Sequence, residues 1–164
     1  MIKGFCSKFY SLKDPDMNII SSFTSGQRDW VPVGLMGIGS LFCVKSIQMT
    51  LRHAKSTEFE APTYHLGRKH PRYHAFRGAT LAISAVATLN LIAWTTRAER
   101  SQSGFWRLWL IGATTAAGYF GGWWIPKPIL GLTTPSWTAE RNHIIAAACC
   151  CSALFYMFPG FNKN

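Results

Sequence analysis

The sequence predicts an all-α integral membrane protein with about four transmembrane helices and a further interfacial helix at the N-terminus. Three observations predict it. Apolar residues make up 48% of the chain and are gathered into four blocks separated by charged loops. The blocks approach the ~20 predominantly apolar residues that cross a bilayer core. The seven Trp residues stand at or near block ends, where an aromatic belt belongs.

A chain of 164 residues allows one membrane domain (1–164). It divides into an N-terminal segment (1–30), a helix pair with a basic loop (31–96) and a second helix pair (106–158). The formal net charge is +10, from 17 Lys and Arg against 7 Asp and Glu. In a soluble protein that balance would suggest nucleic acid. Beside four apolar blocks it implies anionic head groups, so an anionic phospholipid such as cardiolipin is an expected partner and nucleic acid is not.

In the N-terminal segment Ile2, Phe5, Phe9 and Leu12 recur at helical spacing among Lys3, Lys8 and Lys13. This fits a mitochondrial targeting helix, a helix lying in the interface or a plain packing helix. Pro15 ends it. The uninterrupted apolar stretch and the cleavage site of a secretory signal are both missing.

The first block covers residues 31–51 and holds one charge, Lys45, whose stem can snorkel to the head groups. An ion-pathway lysine would need an acidic partner inside a span, and no block supplies one. The second block, 78–96, is rich in Ala, Ser and Thr, with Asn90 its most polar member. The third, 106–125, is stopped by Pro126 and Pro128. Within it Thr114, Gly118 and Gly122 repeat every four residues, beside Gly112 and Ala116. Small residues at that spacing admit another helix backbone, from this chain or from a partner subunit. The fourth block, 143–158, is the shortest, so tilting or re-entry competes with a full span.

Cys149, Cys150 and Cys151 are consecutive and fan around a helix at about 100° steps. With Cys6 and Cys43 they form neither a CxxC pair nor a zinc-site spacing, so they are read as small packing residues. No metal or cofactor is expected.

The loop 52–77 is the densest basic cluster, with Arg52, Lys55, Arg68, Lys69, Arg72 and Arg77 beside His53, His65, His70 and His74. His70 and His74 have a metal-ligand spacing, but Pro71 lies between them and no nearby Cys, Asp or Glu completes a shell. The cluster is expected to contact lipid phosphates or a partner's carboxylates, through His70, Arg72, Arg77, Arg52 and Lys45. Orientation stays open, because Lys and Arg tie at eight on each side of a four-span arrangement.

Trp30-Val31-Pro32-Val33-Gly34-Leu35 opens the first block as the hypoxia-induced gene 1 domain family opens its first span, with an apolar-Pro-apolar-Gly entry. That family begins its second span with Ile or Gln, three residues, Arg or His, one residue, Arg, three residues and Gln. This chain has Leu66, His70, Arg72 and Phe76 at those positions, then Arg77-Gly78-Ala79-Thr80-Leu81-Ala82. Residues 28–95 therefore resemble that family, with Phe76 departing from the Gln. The resemblance implies a mitochondrial inner-membrane protein associated with cytochrome c oxidase and with respiratory supercomplexes.

The expected function is a non-catalytic accessory subunit or assembly factor of a respiratory complex, with its other subunits as partners. An accessory subunit of the complex I membrane arm would look much the same from sequence. A small transporter or a quinone- or haem-binding anchor is the alternative of a different class. It lacks a clear repeat and has only Lys45 and Asn90 as strongly polar residues inside blocks. Neither a nucleophile–base pair nor a carboxylate pair stands at a readable spacing, so an enzyme is not expected.

Overall fold

The computed structural model describes residues 29–63, 65, 67–131 and 136–160. The helix expected at the N-terminus, with Cys6, lies outside the described residues, as does Leu66. Every regular element among the described residues is helical. These are α1 (Trp30–Lys55), a 3-10 turn (Thr57–Phe59), α2 (His70–Ala93), α3 (Arg97–Ser101), α4 (Phe105–Trp124), α5 (Pro126–Leu130) and α6 (Trp137–Tyr156).

Local chemistry sets the ends. The Asp29 carboxylate accepts from the Val31 N–H at 3.3 Å and caps α1. Thr96 and Glu99 form a reciprocal capping box on α3. Ser136 Oγ accepts from the Ala139 N–H at 3.2 Å at the start of α6. α2 starts at His70, two turns before the apolar block at Gly78, because Pro71 falls in the first turn, where a missing N–H costs nothing. α5 ends at Gly131, whose φ of 65° is the left-handed conformation that favours glycine.

The four long helices form a ring. α1 packs between α2 and α6, and α4 closes the circle against both. The stripe Pro32, Met36, Gly39, Cys43 and Ile47 is the buried face of α1. Phe105, Gly112, Ala116 and Phe120 are that of α4. Two glycines make these contacts close. A Cβ on Gly39 would lie 2.5 Å from Cys150 Sγ on α6, and one on Gly112 would lie 3.0 Å from both Ile92 and Leu154. Polar links bridge helix pairs: Asn90 Nδ2 donates to Ser40 Oγ at 2.7 Å, and Trp109 Nε1 donates to the Leu154 carbonyl at 2.8 Å.

Four long helices match the four blocks, and two of them, α1 and α2, are long and apolar enough to cross a membrane. α4 is diluted by Arg107, two Thr and four Gly, and α6 spends its first two turns on Glu140, Arg141, Asn142 and His143. Of the two stripes of small residues on α4, Thr114-Gly118-Gly122 is not the one that packs within this chain. Thr114, Gly118 and Gly122 are exposed, and a Cβ on either glycine would meet nothing within 4 Å. Gly112 and Ala116, on the opposite side of α4, do the packing inside this chain.

Candidate functional site

The basic residues of the loop gather at one end of the bundle, where α1 ends and α2 begins. Arg72 turns inward there. Its Nε donates to the Ala54 carbonyl at 2.9 Å, its Nη1 to Glu60 Oε1 at 2.9 Å and its Nη2 to the Lys55 carbonyl at 3.3 Å. The last carbonyls of a helix have no partner within it, and Arg72 satisfies two of them for α1. Arg68 Nε meets the other Glu60 oxygen at 2.7 Å. The Arg72 hydrogen bond, aided by Arg68, holds the Glu60 carboxyl below its ordinary range against some burial.

Arg72 is therefore the clasp of the α1–α2 corner and not the free anion contact that its sequence position suggests. The partners that claim it lie 12 to 18 residues back along the chain, where spacing gives no sign of them. His70 Nε2 lies 2.7 Å from His74 Nε2, one ring edge-on to the other. Pro71 does not separate them, since both belong to the first turns of α2. Among the described residues no group of three or more His, Cys, Asp or Glu is placed to hold a metal ion.

Arg52 and Arg77 are exposed at the same end. Lys45 is not part of this group. It sits ten residues before the end of α1, about 15 Å along the axis, with its ammonium 5.4 Å from the Phe42 ring centre.

A second polar cluster at this end was not legible in the sequence. Glu140 accepts from Lys127 Nζ at 2.8 Å, Trp124 Nε1 at 2.7 Å and Trp123 Nε1 at 3.0 Å. It lies ahead of the apolar stretch of α6. Lys127, then Trp124, outweigh burial and push its carboxyl down to about 2. Both indole N–H groups are thus turned onto a carboxylate of this chain. The only sign of the cluster was two adjacent Trp residues facing a lone acid across the 126–142 loop.

Behind it, His143 stacks on Trp123 with ring centres 3.6 Å apart and planes at 10°. His143 Nδ1 lies 3.2 Å from the Ala139 carbonyl, which can only accept, so Nδ1 carries the proton. Nε2 is then the acceptor for Ser46 Oγ at 3.3 Å. This is the spacing of a nucleophile and a base, joined from residues 97 apart in sequence. Two things separate it from a catalytic pair. The orienting group is a carbonyl and not a carboxylate, and Ser46 lies inside a helix whose N–H groups are committed to backbone carbonyls. The backbone of that helix offers no free N–H to a developing oxyanion.

Ser46 and His143 form part of the floor of a cleft of about 550 Å³ between the first half of α2 and the second half of α4. Gly78 stands on one wall, Gly118 and Gly122 on the other. The two helices converge at the far end, where Gly112 receives Ile92, and separate toward the basic end.

The opposite end of the bundle carries a buried charge cluster. Asp29 lies 3.3 Å from Arg97 Nε and 3.3 Å from Arg100 Nη2. Burial pushes the Asp29 carboxyl up. The Val31 N–H, the Tyr156 phenol and the two guanidinium groups together outweigh it, and the net shift is down. Arg100 is 3% exposed, and its Nη2 is near enough to Asp29 for attraction yet not aligned for a hydrogen bond.

No family model matches the chain, and neither a curated protein nor a solved structure matches it.

Proposed function

We propose that this chain is a membrane-embedded, non-catalytic accessory subunit or assembly factor of a mitochondrial respiratory complex, with cytochrome c oxidase or its supercomplex first. The observation that carries the membrane reading is the outward face of the long helices. Leu41 on α1 is 67% exposed and Leu91 on α2 is 71% exposed, and Ile83, Leu108, Ile111, Ile144 and Phe155 are exposed on their own helices. Such a surface is a liability in water and ordinary in lipid.

The subunit role rests on the family resemblance. The non-catalytic reading is supported by the way the polar groups around Ser46, His143 and Glu140 satisfy one another. The choice of complex rests on the family resemblance around Trp30–Leu35 and His70-Pro71-Arg72 alone, and the complex I membrane arm is the alternative it leaves. Placement in the mitochondrial inner membrane rests on the same residues.

Extraction of mitochondria with mild digitonin, a native gel and mass spectrometry of the band test both parts. The protein is expected to migrate with cytochrome c oxidase. Migration as a free monomer at every detergent concentration refutes a subunit role, and migration with complex I selects the alternative.

A further inference from the structure

The cleft between α2 and α4 is too large to be a packing defect and is built from missing side chains on both walls. A Cβ on Gly78, Gly118 or Gly122 would meet nothing within 4 Å. Its volume of about 550 Å³ falls in the ~300–1,000 Å³ range of ligand sites. Along α2 it runs from Gly78 to Ala85, about 10 Å at 1.5 Å per residue. An extended hydrocarbon chain can lie along a slot of that length.

The lining settles its polarity. Thr50 Oγ1 donates to the Ser46 carbonyl at 3.1 Å, Ser46 Oγ to His143 Nε2, and Trp123 Nε1 to Glu140. Ser46, Thr50, His143 and Trp123 thus find their partners within the chain, and the Tyr119 hydroxyl pairs with Cys43, so the occupant needs no hydrogen bonds. An apolar space is not filled by water, and at this depth in a bilayer a hydrocarbon chain is at hand.

The rim settles the head. Arg77 lies one turn before Leu81, a residue of the cleft wall, and side chains on a helix lean toward its N-terminus. Arg77 therefore stands above the mouth, exposed, on the same end as exposed Arg52.

We propose that the α2–α4 cleft holds one acyl chain of an anionic phospholipid, whose phosphate Arg77 meets at the rim. This rests on the membrane reading above. The ligand is bound by shape below and by charge above, and zwitterionic lipid of the same chain length binds more weakly.

The full chain is reconstituted into phosphatidylcholine vesicles containing phosphatidylglycerol with a diazirine near the end of one acyl chain. Alkaline carbonate washing comes first. If the chain is washed off the vesicles, the membrane reading has failed; if it stays, the labelling tests the cleft alone. On irradiation, label is expected on peptides containing Leu81–Ala85 and Gly118–Gly122, at least tenfold above that around Leu91. Gly118→Leu and Gly122→Leu, which fill the space, should each reduce it about tenfold. Arg77→Gln should reduce it about fivefold, the factor for one basic residue near an anionic surface, and leave labelling by a phosphatidylcholine probe unchanged.

The proposal is overturned if both leucine variants label like the parent, if the two head groups label equally, or if the cleft peptides cross-link to another protein segment instead of lipid. Melting of each variant is followed by circular dichroism. If one leucine variant is unfolded the other decides, and unfolding of both shows that the glycines are packed and that the cleft does not exist.

Discussion

Replacing Gly39 by Ala adds one methyl group where α1 meets α6. The new Cβ would lie 2.5 Å from Cys150 Sγ, 3.2 Å from the Ala146 carbonyl oxygen and 3.3 Å from Cys149 Cβ. Carbon atoms pack best at about 3.5–4.0 Å, so the Sγ contact is roughly 1 Å too short. Cys150 is 1% exposed, and the Ala146 oxygen is held by its own helix. Relief requires α1 and α6 to part, and overfilling a packed core costs about 1–3 kcal/mol.

Against this stands the gain from replacing a mid-helix glycine, up to about 1 kcal/mol. The net expectation is a loss of roughly 1–2 kcal/mol. Gly118→Ala is the control. It is the same substitution in a helix interior, but into open space, and should stabilise by up to about 1 kcal/mol. Equilibrium unfolding in detergent micelles measures both, and the two should differ by about 2–3 kcal/mol by this reckoning. Adding Cys150→Ala to Gly39→Ala should recover part of the loss, because the shortest contact goes while the two on Ala146 and Cys149 remain. If the two alanine variants agree within about 0.5 kcal/mol, α1 and α6 are not in the close register described.

Trp109→Phe keeps a ring between Trp106 and Phe158 but removes the 2.8 Å bond to the Leu154 carbonyl, and should cost about 0.5–1.5 kcal/mol in the same assay. Asn90→Ala cuts the tie to Ser40 and should cost about 0.6–1.7 kcal/mol, the range for hydrogen bonds between membrane helices. Glu60 is held below its ordinary 4.5 by Arg72, so its stabilisation is complete above that value and fades as pH falls through its lower folded value. Melting of the parent should therefore drop below about pH 4.5 more steeply than that of Glu60→Gln, and equal slopes would show the clasp to be absent in solution. Arg72→Lys should melt lower than the parent, since a single ammonium cannot hold Glu60 and two helix carbonyls together, and a Lys variant indistinguishable from the parent would reduce Arg72 to a surface charge.

The sequence alone carries the helix count. Four apolar blocks become four long helices because a run of 15 or more such residues between charged loops has few other ways to satisfy its backbone. It misplaces the start of α2, since charge was taken as the boundary, whereas Pro71 permits two polar turns before the block begins. It locates the basic end of the bundle, and Arg77 and Arg52 are found exposed there.

Which residues do what at that end was decided only in three dimensions. Arg72 and Arg77 are the same residue type five positions apart; one is taken by the α1 carbonyls and Glu60, and the other is exposed. The pairing of Glu140 with Trp123 and Trp124, and of Ser46 with His143, likewise depends on helices distant in sequence coming side by side.

The same holds for the face of α4. Thr114-Gly118-Gly122 and Gly112-Ala116 are two runs of small residues on opposite sides of one helix, and their small size alone does not rank them. In a soluble helix the apolar side would point inward and settle the question. Here apolar residues lie all round, as the membrane reading proposed above requires of a helix whose outward face meets lipid as apolar as the core. Composition therefore determined that these helices form, and shape complementarity with Ile92 and Leu154 decided which side of α4 closes against its neighbours and which stays open as a cleft.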